Sequence, residues 1–271
     1  ANVIVNIKKD YENRLWLGTF QNGLIGYDRG KITQYTNENS GLLGNDVYGI
    51  QPDKEGNIWI GTLDGCIQKL NVKTQQFQTI LNMQGKLNIR DMIFADDDNL
   101  YVATSIGLMI ANIRNNQCKF IHHNQHKTQE LKKQTLYTLY KDHRNILWMG
   151  GVQGLSYWNM NNDSIYHIDH SNGLPANLVT AICEDNNHQM WIGTCNGITR
   201  INLTQKSPSV SNYDVNDGIL SNNVNDRALY KLKNGNILVG TSNGYTTITP
   251  QEIVHNAYNA QVYMTGIEPG Y

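Results

Sequence analysis

One five-residue segment returns six times along this chain, and the regularity of its return limits the fold more than any other feature. The copies are Leu15-Trp16-Leu17-Gly18-Thr19, Ile58-Trp59-Ile60-Gly61-Thr62, Leu100-Tyr101-Val102-Ala103-Thr104, Leu147-Trp148-Met149-Gly150-Gly151, Met190-Trp191-Ile192-Gly193-Thr194 and Ile237-Leu238-Val239-Gly240-Thr241. Their markers at 16, 59, 101, 148, 191 and 238 stand 42 to 47 residues apart. Before the marker comes a turn residue such as Asn13, Gly56, Asn145 or His188, and after it a second turn such as Asp64-Gly65, Gln153-Gly154 or Asn196-Gly197. Asn, Asp and Gly at such places tolerate the backbone of tight hairpins. Each period therefore reads as four short antiparallel strands. A unit this small cannot bury both faces alone and must stack on its neighbours. The fold class expected is all-β, a β-propeller of four-stranded blades with six repeats visible, either a six-bladed ring or part of a seven-bladed one.

The chain between blades reads Ser40-Gly41-Leu42-Leu43-Gly44-Asn45, Asn172-Gly173-Leu174-Pro175-Ala176-Asn177 and Asp217-Gly218-Ile219-Leu220-Ser221-Asn222 in three copies, each offering a Leu or Ile to plug the space between blades. The Trp side chains suit the same interfaces, each worth about 2 kcal/mol by burial. Residues 1–258 are assigned to the propeller, and 259–271 to a last blade strand or the start of a following Tyr-rich β-sandwich.

The unit D-x-x-G-x-I-W-I-G-T-x-x-G-L and its G-L-P-x-N-x-V connector, seen at Asp53 to Gly65, Asp142 to Leu155 and Gly173 to Val179, resemble the two-component regulator propeller repeat. Val262-Tyr263-Met264-Thr265-Gly266-Ile267 resembles the opening of the Tyr-rich domain that follows such propellers in Bacteroides-type hybrid two-component sensors. The resemblance implies a periplasmic, non-enzymatic sensor segment of an inner-membrane hybrid histidine kinase. Such a receptor is a homodimer that detects oligosaccharides from polysaccharide breakdown, and the family usually has seven blades. Tyr101, Ala103, Gly151 and Leu238 depart from the motif.

Composition narrows the partners. Charged residues make up 17% of the chain and the formal net charge is -1, which leaves no basic footprint for nucleic acid or an anionic membrane. No run approaches the roughly 18 apolar residues of a membrane span, so membrane attachment would come through segments absent from this chain. No cofactor and no metal site is expected. His122-His123-Asn124-Gln125-His126 lacks a Cys or carboxylate at ligand spacing and reads as a solvated loop. Asp96-Asp97-Asp98-Asn99 lacks the later Gly and Glu of a calcium loop and reads as a hairpin turn. Cys66, Cys118, Cys183 and Cys195 form no CxxC pair and read as unpaired thiols; Asn202-Leu203-Thr204 is a glycosylation sequon.

A ligand site is expected where the connectors open the innermost strands around the central channel. The candidates there are Asn45, Asp46, Arg90, Asp91, Tyr137, Asn177, Asn225 and Arg227, since planar polar groups beside an aromatic face suit a sugar. No catalytic residues are assigned. The alternatives are a propeller enzyme similar to the streptogramin lyases, which needs acid, base and metal groups near the channel, or a protein-docking propeller. His143 and His188 fall in turns on the face opposite that mouth.

Overall fold

The computed structural model describes residues 3–115, 117–121, 134–203 and 208–253. Six antiparallel sheets follow one another, five of four strands and one, within the described residues, of three. In each sheet the strands lie in chain order, so every link inside a blade is a hairpin. The innermost strands are Val3–Lys9, Val47–Pro52, Ile89–Phe94, Leu136–Lys141, Val179–Glu184 and Val224–Lys231. These six sheets are the predicted blades. The stretches 122–126 and 259–271, together with Thr204 of the sequon, lie outside the described residues.

The hairpin from first to second strand is built on one aspartate. Asp10 accepts the backbone N–H of Glu12 and of Arg14 through Oδ1, each at 2.9 Å, and the indole N–H of Trp16 through Oδ2 at 2.8 Å. Asp53 with Trp59, Asp142 with Trp148 and Asp185 with Trp191 repeat the indole bond at 3.0, 3.1 and 2.9 Å. In blade 3, Asp96 accepts from Asp98 and Asn99 N–H groups and from the Tyr101 hydroxyl at 3.1 Å, so the acidic run there is the predicted hairpin. The carboxylate closes the turn and satisfies the one polar atom of a buried indole.

Each blade from the second to the sixth packs its innermost strand on the sheet before it. Val47 and Ile50 of blade 2 are fully buried with Trp16 and Leu24 of blade 1, and equivalent clusters join blades 2 and 3, 3 and 4, 4 and 5, and 5 and 6. The approach is close enough to explain the glycine after the Trp. A Cβ on Gly18 would stand 2.3 Å from the Val47 carbonyl oxygen, and one on Gly193 would stand 2.6 Å from Val224 Cγ1.

No such cluster joins blades 6 and 1 among the described residues. Ile4 and Ile7 hold the register positions of Val47 and Ile50, yet they are 47% and 57% exposed. Tyr245 on the third strand of blade 6 is 71% exposed. Among the described residues there are thus five packed interfaces, and a hydrogen bond from Arg227 Nη2 to the Val5 carbonyl at 2.8 Å links blade 6 to blade 1.

Candidate functional site

The channel mouth is shaped by an irregularity in every innermost strand. Ile4 and Asn6 pair with consecutive residues Thr19 and Gly18, which leaves Val5 as an extra residue with no partner across the ladder. The same register step leaves Tyr48, Arg90, Tyr137 and Thr180 extra in blades 2 to 5. In blade 6 the step is larger: Val224 pairs with Thr241 and Leu229 with Val239, so the stretch Asn225 to Ala228 stands opposite Gly240 alone. A β-bulge turns its side chain away from the alternating pattern. Six bulges at matching heights therefore aim six segments at one opening.

The blade 6 segment reaches farthest. Arg227, at φ 55°, donates through Nη1 to the Arg90 carbonyl and through Nη2 to the Val5 carbonyl, and its guanidinium stands 5.6 Å from the Tyr48 ring centroid. The Arg90 guanidinium lies 4.4 Å from the centroid of Tyr137. Both contacts are in cation–π range. The Nε atoms of Arg90 and Arg227 are buried and have no hydrogen-bond partner in the structure, although burial without a partner is costly for such a group. Behind the mouth a cavity of about 810 Å³ is lined by innermost-strand residues that include Asn6, Ile7, Asp91, Thr138, Cys183 and Arg227.

The structure separates the sequence candidates into three groups. Arg90, Tyr137 and Arg227 converge on the mouth, and Asn225 is exposed on the extruded segment. Asn45 and Asn177 hold connectors: Asn45 accepts from Asn37 N–H at 2.9 Å, and Asn177 from His170 N–H at 2.7 Å, as Asn222 does from Val215 N–H at 2.9 Å. Asp46 accepts from Gln21 N–H at 2.7 Å, tying blade 2 to a turn of blade 1. Asp91 is buried and accepts from Leu139 N–H across the blade 3–blade 4 interface at 2.9 Å. Tyr48 and Thr180 were not among the candidates. The signal for them lay in the repeat, where both follow the aliphatic residue that starts an innermost strand, as Arg90 and Tyr137 do.

Residues 41–64 and 173–196 match the sequence profile of the two-component regulator propeller. Two of the six repeats therefore match two-component regulator propeller repeats. Each match runs from a connector through the Trp strand of the following blade, the region where the Asp–Trp hairpin and the clamping Asn sit. A curated relative, histidine kinase P4 of Formosa agariphila, is 24% identical over 96% of this chain, which spans 20% of that protein's length. The extracellular domain of the hybrid two-component system BT3049 from B. thetaiotaomicron superposes with TM-score 0.70 at 22% identity, covering 95% of this chain and 35% of that one. Virginiamycin B lyase from Staphylococcus aureus gives TM-score 0.70 at 14% identity, covering 96% and 85%. At these identities the structural likenesses establish the propeller fold. No helix among the described residues is long and apolar enough to cross a membrane.

Proposed function

We propose that this chain is a ligand-sensing propeller from the periplasmic part of a hybrid two-component histidine kinase, and that its channel mouth takes an oligosaccharide carrying carboxylate or sulfate groups. The observation that carries this reading is the pair Arg90 and Arg227, converging on one opening with a buried, unpartnered Nε on each. An anionic sugar would supply the missing acceptors to both guanidinium groups, and the Tyr48 and Tyr137 rings beside them offer flat faces for a pyranose. Arg227 also lines the adjoining cavity, whose volume falls within the range of about 300–1,000 Å³ usual for small-ligand sites. The relatives above, a histidine kinase and an extracellular sensor domain, support placing such a site in a receptor. Ligand held between blades 1, 3 and 6 would favour one arrangement of the open arc, and in a homodimeric receptor that preference would bias the kinase by population shift.

The lyase reading has less support, because His143 and His188 follow the far ends of the innermost strands, away from the mouth. Calorimetric titration with neutral, uronate-containing and sulfated oligosaccharides tests the proposal. Micromolar binding of an anionic member, lost in Arg90→Ala and Arg227→Ala, is the expected result. Silence across the panel, or binding indifferent to both substitutions in folded protein, would sink it.

A further inference from the structure

The far end of the channel holds a cluster of a different kind. Glu184 closes the innermost strand of blade 5 and is buried, at 6% exposure. His143 Nδ1 hydrogen-bonds with its Oε1, His188 Nδ1 stands 3.3 Å from the same oxygen, and the His143 backbone N–H donates to Oε2 at 3.3 Å. The two imidazoles stack at 3.6 Å between centroids. We infer that His143, Glu184 and His188 form a divalent-metal site, best suited to Zn²⁺, that clips blade 4 to blade 5.

Three features carry the inference. The donor atoms of the three side chains lie within 4.8 Å of one another. Tetrahedral zinc bonds of about 2.0–2.1 Å place neighbouring ligand atoms roughly 3.3 Å apart, so small side-chain rotations suffice. The donor set itself, two imidazoles and a carboxylate, is a zinc-binding set that leaves a fourth position for water. Finally, both Glu184 and His188 break the repeat. The residues at the register position of Glu184 are Lys9, Pro52, Phe94, Lys141 and Lys231, so blade 5 alone buries an acid here, and its ion pairs among the described residues are with histidines rather than Lys or Arg. A buried carboxylate without a lasting cation is costly. His188 takes φ 61° at a position filled by Asn13, Gly56, Asn145 and Gly235 in other blades, all with positive φ. A strained histidine in place of the favoured Asn or Gly has a reason if it is a ligand.

Exposure of the two imidazole side chains, 40% and 55%, gives an ion a way in from solvent. The clip would add a cross-blade fastening to the apolar cluster and the His143–Glu184 hydrogen bonds already at this interface, and would stabilise the folded chain in proportion to metal bound.

Chelator-stripped protein titrated with ZnCl₂, followed by calorimetry and by thermal unfolding, tests the site. The expected result is one equivalent bound per chain and a rise in Tm. Losing an outer-sphere partner alone weakens metal sites by about 10–100-fold, so His143→Ala, His188→Ala and Glu184→Gln should each cost at least that in affinity. Combined His122→Ala, His123→Ala and His126→Ala substitution should leave binding in place. Cobalt substitution supplies an independent reading, a visible tetrahedral spectrum in the wild type that Glu184→Gln abolishes. A wild type that takes up no zinc overturns the inference, as does zinc binding that survives Glu184→Gln and disappears with the three loop histidines.

Discussion

A single carboxylate in the first hairpin of a blade does several jobs, and Asp10 shows how they add. Burial pushes its carboxyl up, but donation from the Trp16 indole and from the Arg14 guanidinium and backbone outweighs that, and its pKa falls below 3.8. Hydrogen bonds to a charged group are worth about 1.5–3 kcal/mol each when one partner is deleted. Asp10→Ala should therefore destabilise the chain by about 3 kcal/mol at neutral pH, read from the shift of a urea unfolding midpoint. The pH dependence has a definite sign. Because the folded pKa lies below the unfolded one, the Asp10 contribution is whole above the unfolded value and is lost as pH falls through the folded one. The gap between wild type and variant should thus hold at pH 5 and shrink below pH 3.8. A gap that stays constant down to the acid limit would show that the ionised carboxylate is not what holds the hairpin.

At the scale of strands and blades, the energetic unit is the innermost strand seated on the preceding sheet. Ile50 is fully buried against blade 1, whereas Ile7, in the same register, is 57% exposed on the open side. Large-to-small changes in a packed core cost about 2–5 kcal/mol, so Ile50→Ala should cost about 3 kcal/mol and Ile7→Ala less than about 1 kcal/mol. Equal losses in unfolding experiments would mean that the blade 1 face is covered in solution. This contrast also marks what the sequence made legible. The six blades, their hairpins and the Trp row follow from period and turn chemistry, because each blade obeys the same local rules. Two features escaped. The Asp–Trp bond joins residues six apart whose spacing was visible but whose side-chain contact was not. The His143–Glu184 contact joins residues 41 apart in neighbouring blades, which no local pattern reports. For the mouth, topology alone places Arg90, Tyr137 and Arg227 near one opening, whereas the backbone groups that Asn45, Asn177 and Asp91 hold lie beyond any local pattern.

Taken whole, the described residues form an arc in which the apolar clusters join each blade to its neighbours, so stability is close to a sum of blade and interface terms. Blades 3 and 4 have packed interfaces on both sides, while blades 1 and 6 each have one. Amide exchange should follow that order: Val3–Lys9 should exchange faster than Leu136–Lys141, since opening an end blade breaks one interface and opening a middle blade breaks two. Arg227 complicates the simple arc, because its guanidinium ties blade 6 to the Val5 carbonyl of blade 1 and the Arg90 carbonyl of blade 3. Arg227→Ala removes both ties without touching an interface cluster, and should therefore accelerate exchange in Val3–Lys9 by about tenfold per 1.4 kcal/mol lost, leaving Leu136–Lys141 unchanged. Uniform acceleration across all blades would instead mean that the arc opens as one cooperative body, and unchanged exchange in Val3–Lys9 would mean that Arg227 does not restrain the gap. The same residue sits at the proposed ligand mouth. An anionic sugar that engages it should slow exchange in Val3–Lys9, which would connect occupancy of the mouth to the geometry of the gap.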